Sequence, residues 1–344
     1  MSSPSTHTTT MPLQATPSTR AQPLLKPSVV LALALVVLAV LPFALEDFWI
    51  FQLTLVMASA IALLGLNVLT GFNGQISLGH GAFFAIGSYT QAILMDHYGV
   101  SYALGVPVAG LVSLVFGMLF GLPALRLQGL YLALATYALG VSLPQLLKYR
   151  HLAEWTGGVQ GITLSKPAAP FSLALTPDQW LFFFTLAWAA LSFYTARRLL
   201  RSHVGRAIVA IRDQPIAANA LGVDVKRYKT FTFGVSALYT GIAGALTAVG
   251  VQFVAPDSFT GLVSIDFLVG IIVGGIGQLS GAVYGALFLR FVPTLTDQIS
   301  KTATGAVYGL VLIGFVYAMP YGIAGFVTRI GMRIRAFRER RGHG

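Results

Sequence analysis

Cysteine is absent from all 344 residues, which excludes disulfides, thiol nucleophiles and Cys-ligated metals. The six histidines are scattered, with none at metal-ligand spacing, and this argues against a membrane metalloenzyme. No G-x-x-x-x-G-K-[ST] phosphate loop occurs, so the chain does not bind ATP in the P-loop manner. Charge is the other scarcity. Only 10% of residues are Asp, Glu, Lys or Arg, and none of these lies between Asp47 and Asp96. Water does not tolerate an uncharged apolar run of that length, and one membrane helix needs only about twenty residues. The run therefore reads as two spans meeting at a Gly- and Asn-rich break, Gly71 to His80. At membrane depth such a break is stable only where protein or a water-filled path satisfies its freed backbone groups.

What is present is mostly apolar. With 56% hydrophobic residues and a mean hydropathy of +0.76, the chain lies outside the soluble globular range. Uncharged windows fall at 29–45, 48–70, 79–95, 102–125, 127–147, 179–196, 230–252, 262–279, 281–296 and 305–328, and only Asp266 and Arg290 place a charge inside them. They predict an all-α, polytopic transmembrane helical bundle of about ten spans, some broken or short. Residues 1–27, rich in Ser, Thr and Pro, predict a disordered cytoplasmic tail. The run Val29–Leu45 lacks a small-x-small cleavage site and is followed by further windows, so it reads as a retained first helix, not a signal peptide. A transmembrane domain is expected over 28–328, with its largest loop at 197–229, followed by a basic tail at 329–344.

If the N-terminus is cytoplasmic and spans alternate, all 22 basic residues except Lys148, Arg150, Lys166, Lys301 and Arg290 fall on or near the cytoplasmic side. Of the 11 acids only Asp213, Asp224 and Glu339 do. This satisfies the positive-inside rule with both termini cytoplasmic. The net charge of +11 is then a topology signal, not a footprint for nucleic acid.

Three segments are candidates for function. In the loop, Asp213 reads as an N-cap, Pro215 as the first helical turn and Gly222 as the stop of a two-turn helix outside the bilayer. Ala217, Ala218 and Gly222 would give it a smooth surface for a partner protein; a basic amphipathic helix resting on anionic lipid headgroups is the alternative. In the break, Asn67, Asn73, Gln75, Ser77 and His80 offer polar groups to a solute path. Equally, they cap helix ends, with His80 a satisfied structural histidine and Asn67 an interhelical bond.

The third segment contains Gly274, Gly275 and Gly277, which permit close helix approach, and Gly277-Gln278-Leu-Ser280 echoes Gly74-Gln75-Ile-Ser77. The echo is a diverged internal repeat or a coincidence, and Gln278 joins the candidate path residues. Asp266 lies near the outer end of its window and reads as a structural cap or as the partner of Arg290, not a proton-coupling site; a carboxylate at mid-bilayer, which would cost roughly 2.5–3.5 kcal/mol, would instead imply function. In the outer loop, Trp155 is an interfacial anchor or a contact for an external partner.

Several segments together resemble one family, the permease subunits of ATP-binding-cassette importers for branched-chain amino acids. They are GLNVLTGFNGQISLGHGAFFAIGSY (65–89), LRLQGLYLALAT (125–136), TGGVQG (156–161), GRAIVAIRDQPIAANALG (205–222), SID (264–266) with GGIG (274–277), and PYGIAG (320–325). The 126 and 205–222 segments are similar to the LivM-type member of the pair. The resemblance implies a transport subunit and not an enzyme, set in a bacterial inner membrane. Its partners would be a second homologous permease, two cytoplasmic ATPases that bind ATP and Mg, and a periplasmic solute-binding protein. It also implies an ATPase-coupling role for Asp213, Gln214, Pro215, Ala217, Ala218 and Gly222, although Ile216 stands where the family has an acidic residue. Related urea-type permeases and a stand-alone secondary transporter are the alternative readings.

Overall fold

A computed structural model describes residues 38, 40–127, 129–167, 169, 175–299 and 304–330. It divides into two compact units, Met1–Ala44 and Leu45–Gly344. In the first, the described part is a 3-10 turn at Leu41–Phe43, closed by the Ala44 N–H on the Leu41 carbonyl at 3.1 Å. The expected tail at 1–27, most of the first span at 29–45, and most of the basic tail at 329–344 lie outside the described residues.

The second unit is helical. In chain order it runs α1 (Asp47–Leu66, continued by a π-helical turn at Asn67–Phe72), α2 (His80–Asp96), α3 (Tyr102–Ala124) and α4 (Leu130–Leu147). Next come a single turn α5 (Ala153–Thr156), strand β1 (Ile162–Thr163), α6 (Pro177–Arg201), α7 (His203–Asp213), α8 (Pro215–Ala220) and α9 (Val225–Val251). Strand β2 (Phe253–Val254), α10 (Gly261–Gly274), α11 (Leu279–Ile299), α12 (Thr304–Ala318) and α13 (Gly322–Ile330) complete it.

Every uncharged window from residue 48 onwards falls on a helix. Fewer of these helices are long and apolar enough to cross a membrane by themselves. Among the described residues there are 5, or 6 if α12 and α13, bent by 43°, form one span. The expectation of about ten spans counts every uncharged window, including 29–45, most of which lies outside the described residues. Helix α10, at 14 residues, would reach only about 21 Å of a 30 Å core. The two short strands, with Ile162 opposite Val254, are the one departure from an all-helical fold among the described residues.

Helix α9 is the pillar, packed against α3, α2 and α1. It gets close because small residues meet at each crossing. A methyl group on Gly87 would strike the Gly241 backbone, one on Gly244 the Phe84 carbonyl, and one on Gly117 the Ala237 side chain. Helices in lipid gain little from hydrophobic burial against one another, so close contact through small residues supplies the association. Helices α10 and α11 use the same device: Gly274 lies on the Gly281 carbonyl and Gly285 on the Gly270 carbonyl. At one end of the bundle, Lys148 pairs with Asp257 at 2.5 Å, and Trp155 packs on Tyr98 and His97.

Gly87→Ala is expected to destabilise the purified chain by about 1–3 kcal/mol through overpacking. Gly309, with nothing within 4 Å, should tolerate Ala with no loss and up to about 1 kcal/mol of gain. Thermal unfolding in detergent checks the pair, and equal melting would show that the α2–α9 contact is not tight.

Candidate functional site

The two glycine-rich breaks meet. The Asn67 side chain clamps them: Nδ2 donates to the Gln278 carbonyl at 2.8 Å, and Oδ1 accepts the Gly277 N–H at 2.8 Å. Gly71 sits so near Gly277 that any side chain at 71 would collide with the Gly277 nitrogen. The π-helical turn lets the chain leave α1 at this point, and several polar groups of the break find protein partners. Thr70 Oγ1 donates to the Gln75 carbonyl at 3.0 Å, Leu78 N–H donates to Thr136 Oγ1 at 2.9 Å, and Gly81 N–H donates to Ser264 Oγ at 2.9 Å. His80 is fully buried between Ser77 Oγ at 3.0 Å from Nδ1 and Ser236 Oγ at 2.6 Å from Nε2. Ser236 donates onward to the Gly65 carbonyl at 2.6 Å. That donor order assigns His80 the Nε2–H tautomer.

Among these candidates for a solute path, Asn67 and His80 bond across to other segments, and Ser77 is engaged within the break by His80 and the Gly79 N–H. Asn73 is also buried, but its amide has no partner among the described residues. Gln75 does border open space. It lines a cavity of about 940 Å³ between the break, the 125–132 segment and α8. Gln278 contributes its carbonyl to the clamp, and its half-buried side chain lies near Gly325. Gly275 and Gly277 take positive φ of 123° and 76°, which turns the chain out of α10.

The 197–229 segment differs from its expected form in two respects. Asp213 is the last residue of α7, and Gln214 occupies the N-cap of α8 without a side-chain bond. The Asp213 carboxylate is already engaged by Arg212, with Nε and Nη2 both 2.9 Å from Oδ1. Ala218 is 3% exposed, so it faces inward and cannot be part of a docking surface. Gln214, Pro215, Ala217 and Gly222 are exposed as expected, and so are the large apolar side chains of Ile216 at 84% and Leu221 at 83%. Gly222, at φ 84°, closes α8 in a Schellman turn: its N–H reaches the Asn219 carbonyl and the Val223 N–H reaches the Ala218 carbonyl, both at 3.0 Å. Arg212 also reaches back, donating from Nη1 to the Gly71 carbonyl at 3.1 Å. One side chain thus ties the loop helices to the point where the breaks touch.

Asp266 and Arg290, expected to pair, do not. Arg290 Nε donates to Gln52 Oε1, and the exposed Asp266 makes no ion pair or hydrogen bond among the described residues. Both nevertheless line one cavity of about 370 Å³.

Residues 49–316 match the family model described as branched-chain amino acid transport system / permease component. The chain belongs to this family. Over 314 residues it is 34% identical to the high-affinity branched-chain amino acid transport system permease protein LivM of Escherichia coli (strain K12), covering 84% of this chain and 73% of that protein. It is 25% identical over 260 residues to the probable branched-chain amino acid transport permease protein LivH of Methanocaldococcus jannaschii, covering 71% and 81%. It is 29% identical over 299 residues to the autoinducer 2 import system permease protein LsrC of Salmonella typhimurium, covering 82% of each. No solved structure matches the chain.

In this permease the matched region contains both breaks, the Asn67 clamp, Arg212 and α8. Arg212, Ser236 and Ser264 escaped the sequence reading because their partners lie 141, 156 and 183 residues away, where no local pattern points. Ile216 and Leu221 had a signal that went unused: apolar residues flank the alanines in an otherwise basic loop. Asn67→Ala leaves the Gly277 N–H and the Gln278 carbonyl without their partner, and should cost about 2–4 kcal/mol. Thermal unfolding in detergent measures this, and a wild-type melting curve would mean that the clamp does not hold the breaks together.

Proposed function

We propose that this chain is a transmembrane permease subunit of an ATP-binding-cassette importer, moving leucine, isoleucine and valine by ATP-driven alternating access. Its place would be a bacterial inner membrane, with the 197–229 loop and the basic tail in the cytoplasm. A second homologous permease, two ATPases carrying ATP and Mg, and a periplasmic solute-binding protein would complete the assembly. Membership of the family and the likeness to LivM support the substrate class.

The observation that carries the mechanism is the exposure of Ile216 and Leu221 on a short, capped helix whose neighbour Arg212 bonds to the Gly71 carbonyl. Two large apolar side chains held outward on a basic loop suit insertion into a groove on another protein. When ATP closes the ATPase dimer, displacement of α8 would pull through Arg212 on the contact between the breaks. Both spans would then shift together, and access to the path would change sides.

Uptake of radiolabelled leucine into vesicles, driven by internal ATP or by an imposed proton gradient, tests this with the partner subunits present. Uptake that requires ATP and the binding protein supports the importer; gradient-driven uptake by this chain alone would mean a secondary transporter. Preference for urea over leucine would reassign the substrate. Ile216→Glu and Leu221→Glu should each abolish ATP-driven uptake and ATPase co-purification while shifting stability by less than about 0.5 kcal/mol. Ala218→Glu should instead destabilise the chain by about 3 kcal/mol or more, because it buries an unpaired charge. Normal uptake by the two exposed variants would remove α8 as the docking element.

A further inference from the structure

We infer that the cavity between α10, α11 and α12 is a binding subsite for the charged groups of a zwitterionic α-amino acid. The inference rests on the proposed amino-acid importer and names the residues that would distinguish such a substrate from a neutral amide. The cavity, of about 370 Å³, is lined by Asp266 and Arg290, with Ser59 and Tyr308 as further polar neighbours and Phe267 and Leu289 among its apolar walls. That volume lies within the roughly 300–1,000 Å³ of small-molecule sites, which combine apolar walls with a few fixed polar groups.

Three observations separate this cavity from a structural ion pair. Asp266 and Arg290 do not bond to each other, and Asp266 has no other hydrogen-bonding or ion-pair partner among the described residues. Asp266 lies six residues into the 14-residue apolar helix α10, and Arg290 lies within α11, whose first 18 residues form a candidate membrane span. Asp266 is also exposed on the surface of the chain. A carboxylate turned toward hydrocarbon is costly, which favours an aqueous path or another polar surface against this face.

An α-amino acid carries an ammonium and a carboxylate on one carbon, and binding both requires one fixed charge of each sign around a single cavity. Arg290 offers a planar donor set for the carboxylate, with Nε held by Gln52 and the Nη groups without a partner among the described residues. Asp266 accepts from the ammonium. Phe267 and Leu289 give a branched aliphatic side chain an apolar surface. Urea carries no formal charge and would leave both residues uncompensated.

The test uses the complete importer in lipid nanodiscs without its solute-binding protein, reading equilibrium binding of radiolabelled leucine. The competitors are 4-methylpentanoate, which lacks the amine, and 3-methylbutylamine, which lacks the carboxylate. Asp266→Asn should weaken leucine about tenfold or more, the scale of one lost charge-assisted hydrogen bond, and leave competition by 4-methylpentanoate unchanged. Arg290→Gln should weaken leucine similarly and leave 3-methylbutylamine unchanged. Asp266→Glu and Arg290→Lys, which keep the charge, should recover part of the loss, with assembly checked by gel filtration. Wild-type leucine affinity in both assembled variants would overturn the subsite. So would equal weakening of leucine and both analogues, which would make the pair a contact for a partner subunit. Failure of the wild-type importer to take up leucine in the vesicle assay would instead refute the importer reading itself.

Discussion

A backbone N–H or carbonyl released in hydrocarbon must find its partner inside the protein, because no water is there to take it. Two interruptions of this permease's helices meet, and the architecture around them follows from that requirement. The break after α1 is held by Thr136 on α4, Ser264 on α10 and the Ser77–His80–Ser236 chain on α9. The break after α10 is held by Asn67. Each interruption therefore fixes the position of several helices at once. Placing the breaks against each other lets one amide side chain satisfy a donor and an acceptor of the other loop.

Glycine serves the same constraint from the other direction. Small residues bring α9 against α1, α2 and α3, and α10 against α11, closely enough for short hydroxyl side chains to reach a neighbouring backbone. Ser88, for example, donates to the Gly244 carbonyl at 2.9 Å across the crossing where Gly244 touches Phe84. Tight crossing and polar satisfaction are one arrangement. A larger residue at the contact would separate the helices and strand the hydrogen bonds together.

Against this dense core, two regions differ. Helix α8 carries large apolar side chains that the chain itself does not cover, and Arg212 joins its neighbourhood to the breaks. Helices α10 and α11 carry a carboxylate and a guanidinium that the chain does not neutralise against each other. Both regions break a local rule of folding stability, one by exposing apolar surface and one by leaving charge within a span. Such departures concentrate where a protein meets something else.

The amino-acid pattern alone determined that the chain is a helical membrane protein, because the absence of charge over each window is a local property with a direct solvation cost. It also located both breaks and the short helix before Gly222, since glycine, proline and asparagine constrain the backbone at their own positions. It did not fix how many helices cross the membrane, because an uncharged window has the same composition whether it spans fully or halfway. It named Ala218 as a docking surface and Asp213 as a cap, yet rotation about the α8 axis turned Ala218 inward, and Arg212 had already engaged the carboxylate. It left His80 and Asn67 between path and fastener. Tertiary structure supplied the bonds that fasten them, because their partners, Ser236, Gly277 and Gln278, are distant in sequence and adjacent only once α9 and α10 have packed.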